Sequence, residues 1–126
     1  MLTRLNIVDG RLVESAEPNG QIHVYIAPDA EERKRLIEEF RLDEHTLQSA
    51  LDPDETARLE FEPTHIAVIF KRPQVLSDSL ETQFRTTSVG AFLFADRLII
   101  VQNDERPLSL LGRPSYSCHS LRGVLL

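Results

Sequence analysis

The chain is poor in the residues that most often announce chemistry. Its 126 residues include one cysteine, one methionine and no tryptophan. A single thiol excludes an intrachain disulfide and any cysteine-rich metal motif, and it fits a reducing compartment. The five glycines are scattered. Neither GxGxxG nor GxxxxGK(S/T) occurs, so no phosphate-cradling loop is present, and no G-x-S-x-G elbow carries a nucleophile. Aromatics are few, six Phe and two Tyr, which leaves the core to Leu, Ile and Val. No apolar run approaches the ~18 residues of a membrane span, and LIIV and AFLFA are strand-sized. The N-terminal region lacks the basic-then-apolar order of a signal peptide. As given, the chain reads as soluble.

What remains is an ordinary globular composition, 41% hydrophobic and 27% charged, of a length suited to one domain. The net charge of −6 argues against general electrostatic binding of nucleic acid. The acidity is local: Asp29 to Glu62 hold 12 acids and 5 bases. A solvated helical face explains such a run as well as a cation-attracting surface does.

The N-terminal third reads as three strands. LTRLNIVDGRLVES predicts a hairpin about Asp9-Gly10, two residues that tolerate positive φ. EPNG supplies a turn, and QIHVYI alternates Ile22, Val24 and Ile26 on one face. The period then changes. Asp29 and Glu32 have capping-box spacing, and Leu36, Ile37 and Phe40 share a stripe opposite Glu31, Arg35, Glu38 and Glu39. Asp43 predicts a second N-cap, with Leu42 and Leu47 as a hydrophobic staple. Asp52 precedes a proline and therefore avoids helical geometry, so this helix should stop near Leu51. ARLEFE and THIAVIFKRP return to β patterning around Pro63, as a hairpin or one bent ribbon. VLSDSLETQ reads as a loop, and TTSVGAFLFADRLIIVQN as two strands joined at Ala95-Asp96-Arg97. Three strands, two helices and about four strands predict an α+β or mixed α/β layer fold.

Few residues are candidates for chemistry. Asp52, Asp54 and Glu55 crowd the helix stop, and Mg2+ can be held through water by so few carboxylates. A polar turn is the plainer reading, although acids at a helix C-terminus oppose the macrodipole. His23 and His65 fall in strands, where a sheet-edge hydrogen bond is expected of them, and His45 sits in the first turn of the second helix, facing water. Cys118-His119 are adjacent and chelate poorly without further ligands. No nucleophile–base pair stands out, so no enzyme is expected.

The ordered segments LDEHTLQSALDPDETARLEFEPTHIAVIFKRP and TTSVGAFLFADRLIIVQNDERPL resemble the cytosolic N-terminal domain of the CorA family of magnesium and divalent-cation transporters. The likeness runs from about Gln21 to Leu126. It implies an α/β/α layered domain with a mixed, largely antiparallel sheet of about seven strands, on the cytoplasmic face of the cell membrane. It also implies a non-catalytic regulatory role, with no cofactor in the domain and Mg2+ or another divalent cation as the ion transported or sensed. Residues 1–107 would form the domain, and residues 108–126 a linker and the start of a stalk helix cut short. The partners implied are that stalk, two transmembrane helices with a Gly-Met-Asn pore motif, and four further copies in a pentamer. Gly-Met-Asn is absent here. Where the family commonly carries an acidic sensing pair late in the second helix, this chain has Gln48 and Ser49. The isolated domain is expected to be a monomer or weak oligomer, and a stand-alone interaction module of the same fold is the alternative.

Overall fold

A computed structural model describes residues 1–16, 20–75 and 84–103. The expected loop at residues 76–83, most of the EPNG turn, Cys118-His119 and the linker and stalk reading all lie outside the described residues.

Seven strands and two helices appear in the predicted order. They are β1 (Leu2–Val8), β2 (Arg11–Glu14), β3 (Ile22–Ile26), α1 (Ala30–Glu38), α2 (Glu44–Leu51), β4 (Arg58–Phe61), β5 (His65–Val75), β6 (Phe84–Phe94) and β7 (Leu98–Gln102). They form one mixed sheet in the order β2-β1-β3-β7-β6-β5-β4. Every neighbouring pair is antiparallel except β3 and β7, which run parallel with Ile22 opposite Leu98. Two antiparallel ribbons are thus joined along one parallel seam. A parallel pair needs a long crossover, and α1, α2 and the β4–β6 meander supply it.

Local signals explain the elements. Asp9 and Gly10 turn the first hairpin with φ of 50° and 76°. Pro63-Thr64 forms the tight turn between β4 and β5, closed by the Glu62 N–H on the His65 carbonyl at 2.9 Å; the hairpin reading holds. At α1 both halves of the capping box are made: Glu32 N–H to Asp29 Oδ1 at 2.8 Å and Asp29 N–H to Glu32 Oε1 at 3.2 Å. The helix ends at Glu38, earlier than its apolar stripe suggests. Phe40 lies in the connection, buried beside Leu42, and Arg41 takes the left-handed φ of 60° that closes the turn into α2.

Both helices pack on one face of the sheet. Leu36, Phe40, Leu42, Leu47 and Leu51 meet Tyr25, Ala67, Ile69, Phe92, Ile99 and Val101 in a single cluster. The opposite face carries its own cluster, including Ile22, Val24, Val89, Leu98 and Ile100. Because β3 and β7 contribute to both clusters, their residues are buried on both sides, as is typical at a parallel seam. No second helical layer is found among the described residues. The approach of α2 is close: a Cβ built on Gly90 of β6 would stand 2.5 Å from the Ala50 Cβ. This contact sets how deeply the second half of α2 sits.

Candidate functional site at the end of the second helix

The site the sequence singles out is the α2 end and the acidic turn after it. Asp43 begins the helix, accepting the Thr46 N–H at 3.0 Å. That bond and the Thr46 hydroxyl hold the Asp43 carboxyl below its ordinary value. The hydroxyl lies 3.1 Å from Asp43 Oδ2 and 3.0 Å from Glu60 Oε2. Its one proton serves one of them at a time. Glu60 in turn faces Arg58 Nη1 at 3.4 Å, and Arg58 Nη2 donates to Ser49 Oγ. Ser49 passes the chain on to the His45 carbonyl at 3.0 Å. A polar seam thereby ties one side of α2 to β4.

The helix C-terminus leaves carbonyls without intrahelical donors. Three distant side chains supply them. Asn103 Nδ2 donates to the Leu51 carbonyl at 2.7 Å, and Ser88 Oγ donates to the Asp52 carbonyl at 2.7 Å. Lys71 Nζ reaches the Pro53 carbonyl at 2.8 Å, the Asp52 carbonyl at 3.4 Å and Ser88 Oγ at 2.6 Å. A cation here complements the macrodipole and offsets the acids of the turn. Asp52 itself accepts the Asp54 N–H at 2.9 Å through Oδ1, a local turn bond. Asp52 and Asp54 are exposed and Glu55 is half-buried. Among the described residues, no group of three His, Cys, Asp or Glu side chains is placed to hold a metal ion.

The capping network gives the first testable expectation. Lys71→Met keeps the aliphatic stem but strips the Pro53 carbonyl of its donor. It should cost about 1–2 kcal/mol of stability in urea unfolding; an unchanged midpoint would show that the turn does not depend on the cation. Lys71, Ser88 and Asn103 were not singled out from sequence. They come from three strand regions far along the chain, and nothing local marks them as partners of a helix end.

Gln48 and Ser49, where the resemblance led one to look for an acidic pair, separate sharply. Gln48 is exposed, whereas Ser49 is 2% exposed and engaged by Arg58. His45 faces solvent, as expected. His65 accepts or donates at Nδ1 to Thr64 Oγ1, 3.0 Å away, and packs against Phe94 with ring centroids 4.7 Å apart. His23 differs from expectation. It occupies an interior strand, edge-on to Phe40 at 5.8 Å, and among the described residues neither ring nitrogen finds a partner in hydrogen-bonding geometry. A ring buried by its neighbours on both sides has no free sheet edge to bond. Burial lowers the pKa of both histidines; at His23 the cations Arg97, Arg4 and Arg35 add to it and the Gly20 backbone works the other way. Near these rings Glu39, Arg41, Asp96 and Arg97 rim an open cleft of ≈ 390 Å³, two acids against two bases. Arg97 already lies over the Phe40 ring, 4.9 Å from its centroid.

Three comparisons bear on identity. The sequence profile of the family described as CorA-like Mg2+ transporter protein matches residues 22–115. No curated protein matches the chain. Among solved structures, the soluble domain of CorA from Methanocaldococcus jannaschii aligns with a TM-score of 0.61 at 22% identity, over 83% of this chain and 41% of that one. The complete CorA magnesium transporter from the same organism gives 0.54 at 19%, over 82% and 32%. The full-length CmaX protein gives 0.56 at 16%, over 86% and 35%. At these identities the structures attest the fold, and this chain spans less than half the length of each. The profile covers most of the chain, including both helices and the whole of the sheet from β3 to β7. The chain belongs to the CorA-like Mg2+ transporter family.

Proposed function

We propose that this chain is the non-catalytic, cytosolic regulatory domain of a magnesium or divalent-cation transporter. In this reading it continues into a stalk helix and two membrane helices and works as one fifth of a pentamer at the inner face of the cell membrane. The family match over residues 22–115 carries the reading. The domain's part is mechanical: a cation bound between neighbouring copies shifts the gate only by its differential affinity for the closed and open states. The test is expression of the gene's full reading frame in cells deprived of their own magnesium uptake. Growth at low magnesium is the expected result. A reading frame without membrane spans overturns the proposal.

The residues at the α2 end limit how this domain senses the ion. Gln48 is neutral and Ser49 is neutral and buried, so neither supplies charge to hold a hydrated divalent cation. MgCl2 is therefore expected to raise the melting temperature of the chain no more than NaCl at equal ionic strength. A specific, saturable rise with Mg2+ would reveal a bound ion and contradict this assignment.

A further inference from the structure

The outer edge of β4 carries two large apolar side chains in the open. Among the described residues β4 is the last strand of the sheet, with no strand beyond it. Leu59 is 55% exposed and Phe61 75% exposed, side by side on one face of this edge. Ile66 and Val68 of β5 lie opposite them in register and are only half-buried. An edge strand with large exposed apolar side chains is an invitation to pairing that soluble proteins usually suppress.

The direction of the backbone groups follows from the turn. Glu62 N–H bonds the His65 carbonyl, which makes that pair a hydrogen-bonded one. Bonded and non-bonded pairs alternate along an antiparallel ladder. Glu60 and Arg58 therefore turn their N–H and C=O groups towards β5. Those of Phe61 and Leu59 point out of the sheet. Among the described residues, those with exposed apolar side chains are also those whose backbone donors and acceptors face no neighbouring strand.

Charge and proline select the register for a second copy. Centring a two-fold axis on Phe61 sets Glu60 against Glu62 twice and places Pro63, which has no N–H, opposite Leu59. Centring it on Glu60 sets two Glu60 carboxylates face to face. Centring it on Leu59 places Arg58 opposite Glu60 on both sides of the axis. It also stacks Leu59 on Leu59 and sets Phe61 against Ala57. Opposite charges and apolar pairs directly across a ladder are the favourable combinations, and like charges are not. Arg58 and Glu60 keep part of their surface open for this, with side chains 27% and 30% exposed.

We propose that two copies of this chain associate through their β4 edges, antiparallel, about a two-fold axis at Leu59, continuing the sheet from one copy into the other. A four-residue edge buries far less than the ~1,600 Å² of a standard interface, so the dimer is weak and forms at high protein concentration. The proposal rests on the strand alone; in the pentamer of the transport reading, such a two-fold contact would join copies belonging to different pentamers.

Sedimentation velocity over a wide concentration range tests it. The expected result is a monomer–dimer equilibrium for the chain, lost in Leu59→Pro. The Leu59 N–H points away from β5, so proline there removes no bond within the sheet; unchanged circular dichroism and melting would establish that the variant folds. Phe61→Lys, at a largely exposed position, should also weaken the dimer. Register is read by cross-linking in a Cys118→Ser background. Leu59→Cys lies on the axis, where facing Cα atoms are about 5.5 Å apart and can form a disulfide. Phe61→Cys lies off it and should cross-link poorly. A monomer at every concentration, a dimer that survives both Leu59→Pro and Phe61→Lys, or equal cross-linking at 59 and 61 overturns the proposal.

Discussion

Gly90→Ala is expected to destabilise the domain by about 2–3 kcal/mol, the upper part of the range for overpacking a filled core. The added methyl would meet the Ala50 Cβ at 2.5 Å and a Phe92 ring carbon at 3.1 Å. Neither neighbour can swing aside, since one is a methyl on a helix and the other a ring that is 0% exposed. The helix must lift, and with it the Leu47 and Leu51 contacts and the capped end beyond. Denaturant unfolding should show a lower midpoint with an unchanged slope. Removing the opposing methyl separates this account from a general intolerance of change. Ala50→Gly alone costs about 1 kcal/mol from helix propensity. In that background Gly90→Ala should cost markedly less, with a coupling of at least about 1 kcal/mol. Equal costs in both backgrounds would mean that the helix does not rest on Gly90.

Acidification should weaken the fold in two stages. His23 and His65 are 4% and 6% exposed, and burial lowers the pKa of each from 6.5. The folded state then binds fewer protons than the unfolded chain below that value, and stability falls as protons are added. Their contribution is therefore complete above about pH 6.5 and is lost progressively as the pH drops towards their lowered folded values. Protonated His23 would stand among Arg4, Arg35 and Arg97, which makes its charging the costlier of the two; near His65 the Glu62 carboxylate partly compensates. His23→Leu should flatten most of the slope of stability between pH 6.5 and 5. His65→Leu should flatten less of it. A second loss should follow below about pH 4, where Asp43, held under its ordinary 3.8 by the Thr46 bonds, takes up its proton and releases the α2 cap. Unfolding free energies measured from pH 8 to 3 check both stages, and an unaltered slope in His23→Leu would remove this histidine from the account.

What could be read in advance was local chemistry. The Asp29–Glu32 box, the Asp43 cap and the stop before Pro53 each lie within a few residues, and each is present; Leu42 and Leu47, the expected staple, are both buried in the same core cluster. The acidic turn was legible as a turn for the same reason. What kept it folded was not legible: Lys71 lies 18 residues from Pro53, and Asn103 lies 52 residues from Leu51. Such convergence is a property of the sheet order, which no periodicity encodes. His23 misled because a histidine in a strand was expected to bond at a sheet edge, whereas the β3–β7 seam places it inside. Gly90 did carry a signal, since glycine inside a strand pattern marks close approach by another backbone. Family membership was legible because the segment order, rather than any single motif, resembled CorA; the profile covers residues 22–115 and stops short of the Leu126 to which the likeness was extended.

The parallel seam also dictates when this domain can become whole during synthesis. The first ribbon, β2-β1-β3, leaves the ribosome early with the apolar flank of β3 open, because its mate begins only at Leu98. At ordinary elongation rates the wait is roughly 4–15 s, far longer than a hairpin needs to form. For that interval the nascent chain displays an incomplete sheet whose missing strand has not been made. Translation speed from α1 to β6, rather than helix or hairpin formation, then sets how long the nascent chain is exposed to wrong partners.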